Sequence, residues 1–273
     1  MKQPRLRLGL IGKDVSKSTS ERIHNFILRE FGVACAYTRV SVGSSDFRSA
    51  AKTLLETTDG FNVTIPYKLD VLEFLESVQG DAATCGAVNT VVCATKTGYN
   101  TDGLGVMQML SAAGVSVQGK RVLVLGLGGS GRSTAAALKN AGATVYAYQR
   151  NGAALQAACK ELAVEPWENP EEFDGEMIIN CTGVGMHDSE GVSPLSRQAF
   201  EGKETAVDLI YEPKESEFLR LAKSCGLKTV NGAAMLFYQA YYADCIYLNK
   251  DPDGAVAEAL YQKFLREETG ETV

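Results

Sequence analysis

The sequence predicts an α/β protein with two sheet-bearing domains, on three observations. Strand-like and helix-like segments alternate from the N-terminal region onward, the pattern of βαβ units and a mostly parallel sheet. Near residue 119 a second α/β unit opens with a continuous apolar strand that runs straight into a glycine-rich turn. At 273 residues the chain also exceeds the usual size of a single hydrophobic core.

Each element has its own signal. Leu6 to Ile11 reads as a strand, and Ile23, Phe26, Ile27 and Phe31 fall at helical spacing. Ala36 to Val42 is rich in β-formers, and Phe47 to Leu55 returns to helical spacing. Gly60 to Ile65 is a short strand closed by Pro66, followed by an expected helix over Leu69 to Val78 and a strand over Ala87 to Cys93. In the second unit, Arg121 to Leu125 is the apolar strand, Ser133 to Ala141 a helix, and Thr144 to Tyr148 the next strand. Further strands are expected at Met177 to Cys181, Thr205 to Leu209 and Lys228 to Val230. Two helices close the chain, Ala233 to Leu248 and Ala255 to Glu268, parted by the breaker Asp251-Pro252-Asp253-Gly254.

Composition narrows the function classes. Hydrophobic residues make up 45% and charged residues 22%, as in an ordinary globular protein. The net charge of −6, with both signs interspersed, argues against general nucleic-acid binding, which needs clustered Lys and Arg. The stretch Met1 to Arg5 leads into an apolar run, Leu8 to Ile11, too short for a signal-peptide core, and no run reaches membrane-spanning length. Seven scattered cysteines include no C-x-x-C pair, and only His24 and His187 could complete a metal site. Reduced, mostly buried thiols in a cytoplasmic protein without a metal are the expectation.

The glycine run carries the first chemical suggestion. Gly126, Gly128, Gly129, Ser130 and Gly131 sit between a buried-looking strand and a helix. Gly126 permits a tight turn, and Gly128 and Gly129 let backbone amides approach a pyrophosphate at the helix N-terminus. A plain strand-to-helix turn is the alternative. At the end of the next strand, where NAD enzymes place an acid against the ribose, Tyr148-Gln149-Arg150-Asn151-Gly152 has no carboxylate. Arg150 would suit a 2′-phosphate, which favours NADP, against the alternative of a solvated surface arginine.

Polar residues gather in three stretches of the first 105 residues. Ser18-Thr19-Ser20-Glu21 precedes a helix, and Ser18 with Glu21 has capping-box spacing. In Asn62-Val63-Thr64-Ile65-Pro66-Tyr67-Lys68, Pro66 suits a first helical turn. Lys68 would then lie near the positive end of a helix dipole, which disfavours a cation by roughly 0.3–1 kcal/mol; a solvated lysine is the plainer outcome. Asn100-Thr101-Asp102-Gly103 leads into a helix that Asp102 could cap, and Asn89 could be a turn residue. Gln239 is conspicuous in the apolar run from Ala233 to Ala243, since a buried amide needs partners.

Taken in order, Ser18-Thr19-Ser20 with His24-Asn25, Asn62 to Lys68, Gly86-Ala87-Val88-Asn89-Thr90, Asn100 to Gly103 and Gly126-Leu127-Gly128-Gly129 resemble the shikimate dehydrogenase family over nearly the whole chain. The resemblance implies a substrate-binding and catalytic domain over residues 1–104 plus 235–273. A Rossmann-type dinucleotide-binding domain would cover 105–234, with the C-terminal helices returning to the first domain and substrate in the cleft between. It implies NADPH-dependent, reversible reduction of 3-dehydroshikimate to shikimate in aromatic amino-acid biosynthesis, by a monomer or homodimer.

By the same resemblance, Lys68 shuttles a proton to and from the substrate oxygen and Asp102 holds and polarises it. Because Lys68 can do that polarising, no metal is needed, and His24 is left a structural role. Ser18 and Ser20 look like binders of the substrate carboxylate, and Thr64, Asn89 and Asp102 like binders of ring hydroxyls. Asp208-Leu209-Ile210-Tyr211 resembles a stretch ending in a substrate-contacting tyrosine. Gly232 to Gln239 resembles the returning segment, with Gly232 and Met235 near the nicotinamide and Gln239 reaching the substrate. Thr182 would also lie by the nicotinamide.

Three departures stand out. Glu21 replaces the proline that usually follows the second serine, Gln149-Arg150-Asn151 replaces Asn-Arg-Thr/Ser, and Asn180-Cys181-Thr182-Gly183 replaces Asn-Ala-Thr-Ser. Two other functions stay open: a quinate/shikimate dehydrogenase using NAD, and a non-catalytic NADP-binding regulatory protein.

Overall fold

The computed structural model describes residues 5–270; Met1 to Pro4 of the N-terminal stretch weighed above, and residues 271–273, lie outside the described residues. The chain divides into two compact units, Met1–Gly105 with Leu236–Val273, and Val106–Met235.

The first unit runs β1 (Leu6–Gly12), α1 (Ser20–Glu30), β2 (Cys35–Ser41), α2 (Phe47–Thr57), β3 (Gly60–Val63), β4 (Ser77–Val78), α3 (Asp81–Cys85), β5 (Thr90–Val92), β6 (Thr97–Tyr99) and the start of α4 (Asp102–Ala112). Its sheet has the order β2-β1-β3-β5-β6-β4. The pairs β1–β2, β1–β3 and β4–β6 are parallel, whereas β5 is antiparallel to both β3 and β6. Side chains of β1 alternate between two apolar layers, as a strand covered on both faces requires. Leu8 and Leu10 pack with Leu28 and Tyr37 on one side, while Ile11 joins Phe47, Leu54 and Phe61 on the other.

The expected helix over Leu69 to Val78 is replaced by a 3-10 turn at Asp70–Phe74 and the short β4. The reason is tertiary. The Lys68 carbonyl accepts the Val88 N–H at 2.7 Å, so it is engaged with a distant segment, and Leu72 N–H turns to Leu69 O at 3.2 Å. Without an α-helix after Pro66, the dipole argument for Lys68 does not apply.

The second unit contains β7 (Arg121–Leu125), α5 (Gly129–Asn140), β8 (Thr144–Tyr148), α6 (Gly152–Leu162), β9 (Glu165–Pro166), β10 (Met177–Asn180), β11 (Thr205–Asp208), α7 (Glu217–Ser224) and β12 (Lys228–Asn231). Every pairing in its sheet is parallel, in the order β12-β11-β10-β7-β8-β9. The chain moves outward from β7 through β8 and β9, then returns to lay β10 on the other side of β7. In open α/β sheets the carboxyl ends of the strands at such a reversal, here β7 and β10, are the standard ligand position.

α8 (Ala233–Leu248) carries the chain back into the first unit, and α9 (Gly254–Thr269) ends it. Asp253 starts α9 by accepting the Ala255 and Val256 amides, so the predicted breaker doubles as a helix cap. No helix among the described residues is long and apolar enough to cross a membrane.

Candidate active site

In the first unit, Lys68 and Asp102 meet as a buried ion pair. Their side chains are 8% and 3% exposed, and Lys68 Nζ bonds Asp102 Oδ2. Asp102 opens α4. Asn100 Oδ1 accepts the Asp102 N–H at 3.0 Å, while Asn100 Nδ2 donates to Ala87 O at 2.9 Å. Asn100 thus fixes the main chain at the point where the Asp102 carboxylate meets the lysine. Two charges taken out of water are tolerated here because each compensates the other.

Asn89 is the hub beside that pair. Its Nδ2 lies within reach of three acceptors: Asp102 Oδ1 at 2.7 Å, Thr101 Oγ1 at 3.0 Å and Gln239 Oε1 at 3.3 Å. Its Oδ1 accepts the Thr90 hydroxyl at 2.8 Å and the Thr101 N–H at 3.0 Å, which fixes which way the amide points. Behind it, Asn62 Nδ2 reaches Thr90 Oγ1 and Asn89 O, both at 3.3 Å, and Tyr37 donates to Asn62 Oδ1 at 3.0 Å. Tyr37 stacks on His24, with centroids 4.9 Å apart. The result is a buried polar seam running inward from the ion pair.

Ser18 and Ser20 lie on the turn from β1 into α1, at the same end of the sheet as Thr64. The capping box is not formed. Thr19 is the N-cap with no side-chain bond, and Ser18 Oγ instead accepts the Ser20 N–H at 3.2 Å and lies 3.0 Å from Ser20 Oγ. Thr64 sits just past β3, its N–H bonded to Ile11 O at 2.9 Å. A Cβ on Gly12 would come within 2.5 Å of Thr64 Cγ2, so the glycine makes room for that side chain.

In the second unit, Gly126 has φ +86 and turns the chain out of β7. A Cβ on Gly131 would stand 1.9 Å from Gly126 O, so the loop closes on itself only with glycine there. α5 begins at Gly129 rather than at Ser133, with Gly128, which has no side chain to cap with, as its N-cap. No heavy atom would lie within 4 Å of a Cβ on Gly128. An open approach at Gly128 and a helix N-terminus fit a dinucleotide pyrophosphate.

Thr182 follows β10 and lies against this loop; a Cβ on Gly126 would come 2.8 Å from its Cγ2. Its hydroxyl donates to Asn180 Oδ1 at 2.6 Å. Arg150 is exposed just after β8 and makes no ion pair among the described residues, while Asn151 caps α6. Gly232 is required by packing, because a Cβ there would stand 2.2 Å from Leu209 O. Met235 is buried and Tyr211 half-buried.

Lys68, Asp102, Asn89 and Gln239 are thus joined by direct hydrogen bonds, and Ser18, Ser20 and Thr64 share their end of the sheet. The glycine loop and Thr182 touch, and Arg150, Tyr211 and Gly232 follow other strands of the second sheet at the same carboxyl edge. The sequence reading omitted Asn62, Thr90 and Thr101 from the site. An asparagine amid the apolar residues of Gly60 to Ile65 was the available signal, since a buried amide must be bonded. It also omitted Asp208, whose carboxylate accepts Asn180 Nδ2 and Ile210 N–H, each at 3.0 Å, and the Ser216 hydroxyl at 2.5 Å. Burial pushes that carboxyl up to about 6, against the pull of those bonds. Among the described residues, no group of three His, Cys, Asp or Glu side chains is placed to hold a metal ion.

Residues 10–91 match the family model described as the shikimate dehydrogenase substrate binding domain. A shikimate dehydrogenase (NADP(+)) of Archaeoglobus fulgidus is 35% identical over 266 residues, covering 93% of this chain and 97% of that one. Its counterpart from Thermus thermophilus is 33% identical over 95% of this chain and 99% of its own. A crystal structure of shikimate 5-dehydrogenase from Thermus thermophilus, in complex with NADP(H) and shikimate, aligns with TM-score 0.85. That alignment has 32% identity and covers 94% of this chain and 99% of that one.

Proposed function

The chain belongs to the shikimate dehydrogenase family, and from that premise we propose that it interconverts 3-dehydroshikimate and shikimate with NADP(H), using Lys68 as the proton donor and acceptor. The observation that carries the assignment is the buried Lys68–Asp102 pair, bonded through Asn89 to Gln239. A bound nicotinamide supplies and takes back the hydride. Lys68 Nζ gives its proton to the developing alkoxide, and its ammonium stabilises that charge before transfer. Asp102 keeps the ammonium aimed. Asn89, held by Thr90 and Thr101, and Gln239 offer amide groups to the ring hydroxyls together with Thr64, while Ser18 and Ser20 take the carboxylate.

Gly126 to Gly131 hold the pyrophosphate on the N-terminus of α5, and Arg150 takes the 2′-phosphate. Thr182, Gly232 and Met235 border the nicotinamide, and Tyr211 meets the substrate. The reaction belongs to aromatic amino-acid biosynthesis, in the cytoplasm. We further propose residues 1–104 with 235–273 as the substrate domain and 105–234 as the cofactor domain.

The test follows the absorbance of reduced nicotinamide while crossing shikimate and quinate with NADP and NAD, in wild type and Lys68→Ala. Shikimate with NADP is the preferred pair, and Lys68→Ala lowers turnover by roughly 10²–10⁴-fold. Near-normal turnover in that variant overturns the role of Lys68. Preference for quinate with NAD replaces the substrate assignment, and cofactor binding without turnover in the wild type makes the chain a regulatory binder.

A further inference from the structure

A carboxylate-binding turn with an acidic residue beside it poses a physical problem. Glu21 follows Ser20 directly, in the first turn of α1. Ser18, Glu21 and Arg39 line one open groove of about 640 Å³ on the first unit. An anion arriving at Ser18 along that groove therefore meets a negative charge on the same surface.

The structure supplies a counter-charge from a different element. Arg39 projects from β2, and its Nε lies 3.3 Å from Glu21 Oε2. Its Nη1 donates to Ser16 O at 2.6 Å and reaches Ser18 O at 3.4 Å. One guanidinium thus holds the main chain of the serine turn and pairs the acid that follows it. The groove's two other carboxylates are matched as well, Glu268 by Arg22 at 2.7 Å and Glu267 by Arg29 at 2.8 Å. Of these three arginines, only Arg39 is bonded to the turn that carries Ser18.

We propose that Arg39 is a specificity-determining residue: it neutralises Glu21 at the mouth of the carboxylate subsite, so that an anionic substrate is accepted. The proposal rests on the assignment of Ser18 and Ser20 to that subsite. Both partners are partly exposed, with side chains 38% and 43% accessible, so their pairing adds little to stability. Its effect falls on the affinity for a charged ligand, because an unpaired Glu21 in the groove that Ser18 lines would repel an approaching carboxylate.

Steady-state kinetics with shikimate test this in the full-length protein. Arg39→Gln raises KM about three- to tenfold with kcat little changed, and added salt shrinks the increase. Combining Glu21→Gln with Arg39→Gln returns KM to within about twofold of wild type, because no unpaired acid remains. Arg29→Gln removes an equal charge about 12 Å further along α1 and leaves KM in place. A raised KM that persists in the double variant means that Arg39 attracts the substrate itself, and overturns neutralisation. Ser18→Ala and Ser20→Ala separate the two levels. If they raise KM while Arg39→Gln does not, the subsite stands and the role of Arg39 falls. If neither serine matters, the subsite assignment fails and this inference falls with it.

Discussion

His24 Nδ1 and Asp244 Oδ1 lie 2.7 Å apart, with side chains 1% and 0% exposed, joining α1 to α8 inside the first unit. Burial pushes the Asp244 carboxyl above its usual range, and His24 pulls it partway back. His24 Nε2 and Asp244 Oδ2 have no hydrogen-bond partner among the described residues, so each side chain depends heavily on the other. His24→Leu leaves a buried acid uncompensated and lowers stability by about 3–5 kcal/mol. Replacing both residues with leucine recovers most of that loss. Urea unfolding of the two single variants and the double variant measures the coupling; equal losses in His24→Leu and the double variant would refute it.

Asp208 gives stability a pH dependence of definite sign. Its carboxyl titrates at about 6 in the folded chain against an ordinary value of 3.8. The native state therefore holds a proton that the unfolded state has released between those values, and stability falls as pH rises through the window. The full difference is on the order of 3 kcal/mol. Asp208→Asn cannot ionise, and it flattens the unfolding free energy between pH about 4 and 6 relative to wild type. Identical slopes in the two proteins would remove Asp208 as the source.

Arg150 should decide between the two nicotinamide cofactors. It is exposed just after β8 and unpaired by any carboxylate among the described residues, leaving its guanidinium available to a phosphate. Arg150→Ala raises the KM for NADPH by about tenfold or more, the loss of one charge-assisted contact, and barely changes that for NADH. Equal changes for both cofactors exclude the 2′-phosphate role.

Gly131→Ala tests the turn itself. A methyl group 1.9 Å from Gly126 O cannot be accommodated without opening the loop. Cofactor affinity, read by NADPH fluorescence titration, should drop more than about tenfold, with a stability loss of about 1–3 kcal/mol from overpacking. Unchanged affinity would show that the loop does not hold the cofactor.

Local signals made much of this molecule readable from its residues. β7, the glycine turn and α5 are punctuated within a dozen positions, as are α8 and the Asp253 cap of α9. The expected helix after Pro66 fails because Lys68 O is taken by Val88, twenty positions away, a bond that no local pattern encodes. The capping box fails for a similar reason at short range, since Ser18 turns to Ser20 rather than to the helix amides. α6 and α7 are absent from the sequence expectation although Asn151 and Ser216 cap them and their apolar spacing is plain. In the site, the motif residues were visible and their braces were not. Asn62 and Thr90 matter through partners on other strands, and Arg39 becomes meaningful only when β2 brings it to Glu21.

The first unit is made from both ends of the chain, with the whole second unit translated in between. His24 and Asp244 are separated by 220 positions. A ribosome adding about 5–20 residues per second takes roughly 10–45 s to cover that distance. During that interval α1 lacks Asp244, the partner of His24, and the helix that carries it, while all of Val106–Met235 has been made before Asp244 is added. The order of synthesis therefore favours completion of the contiguous unit first, and leaves the earlier-made layer of the first unit dependent on a stretch that emerges only after it.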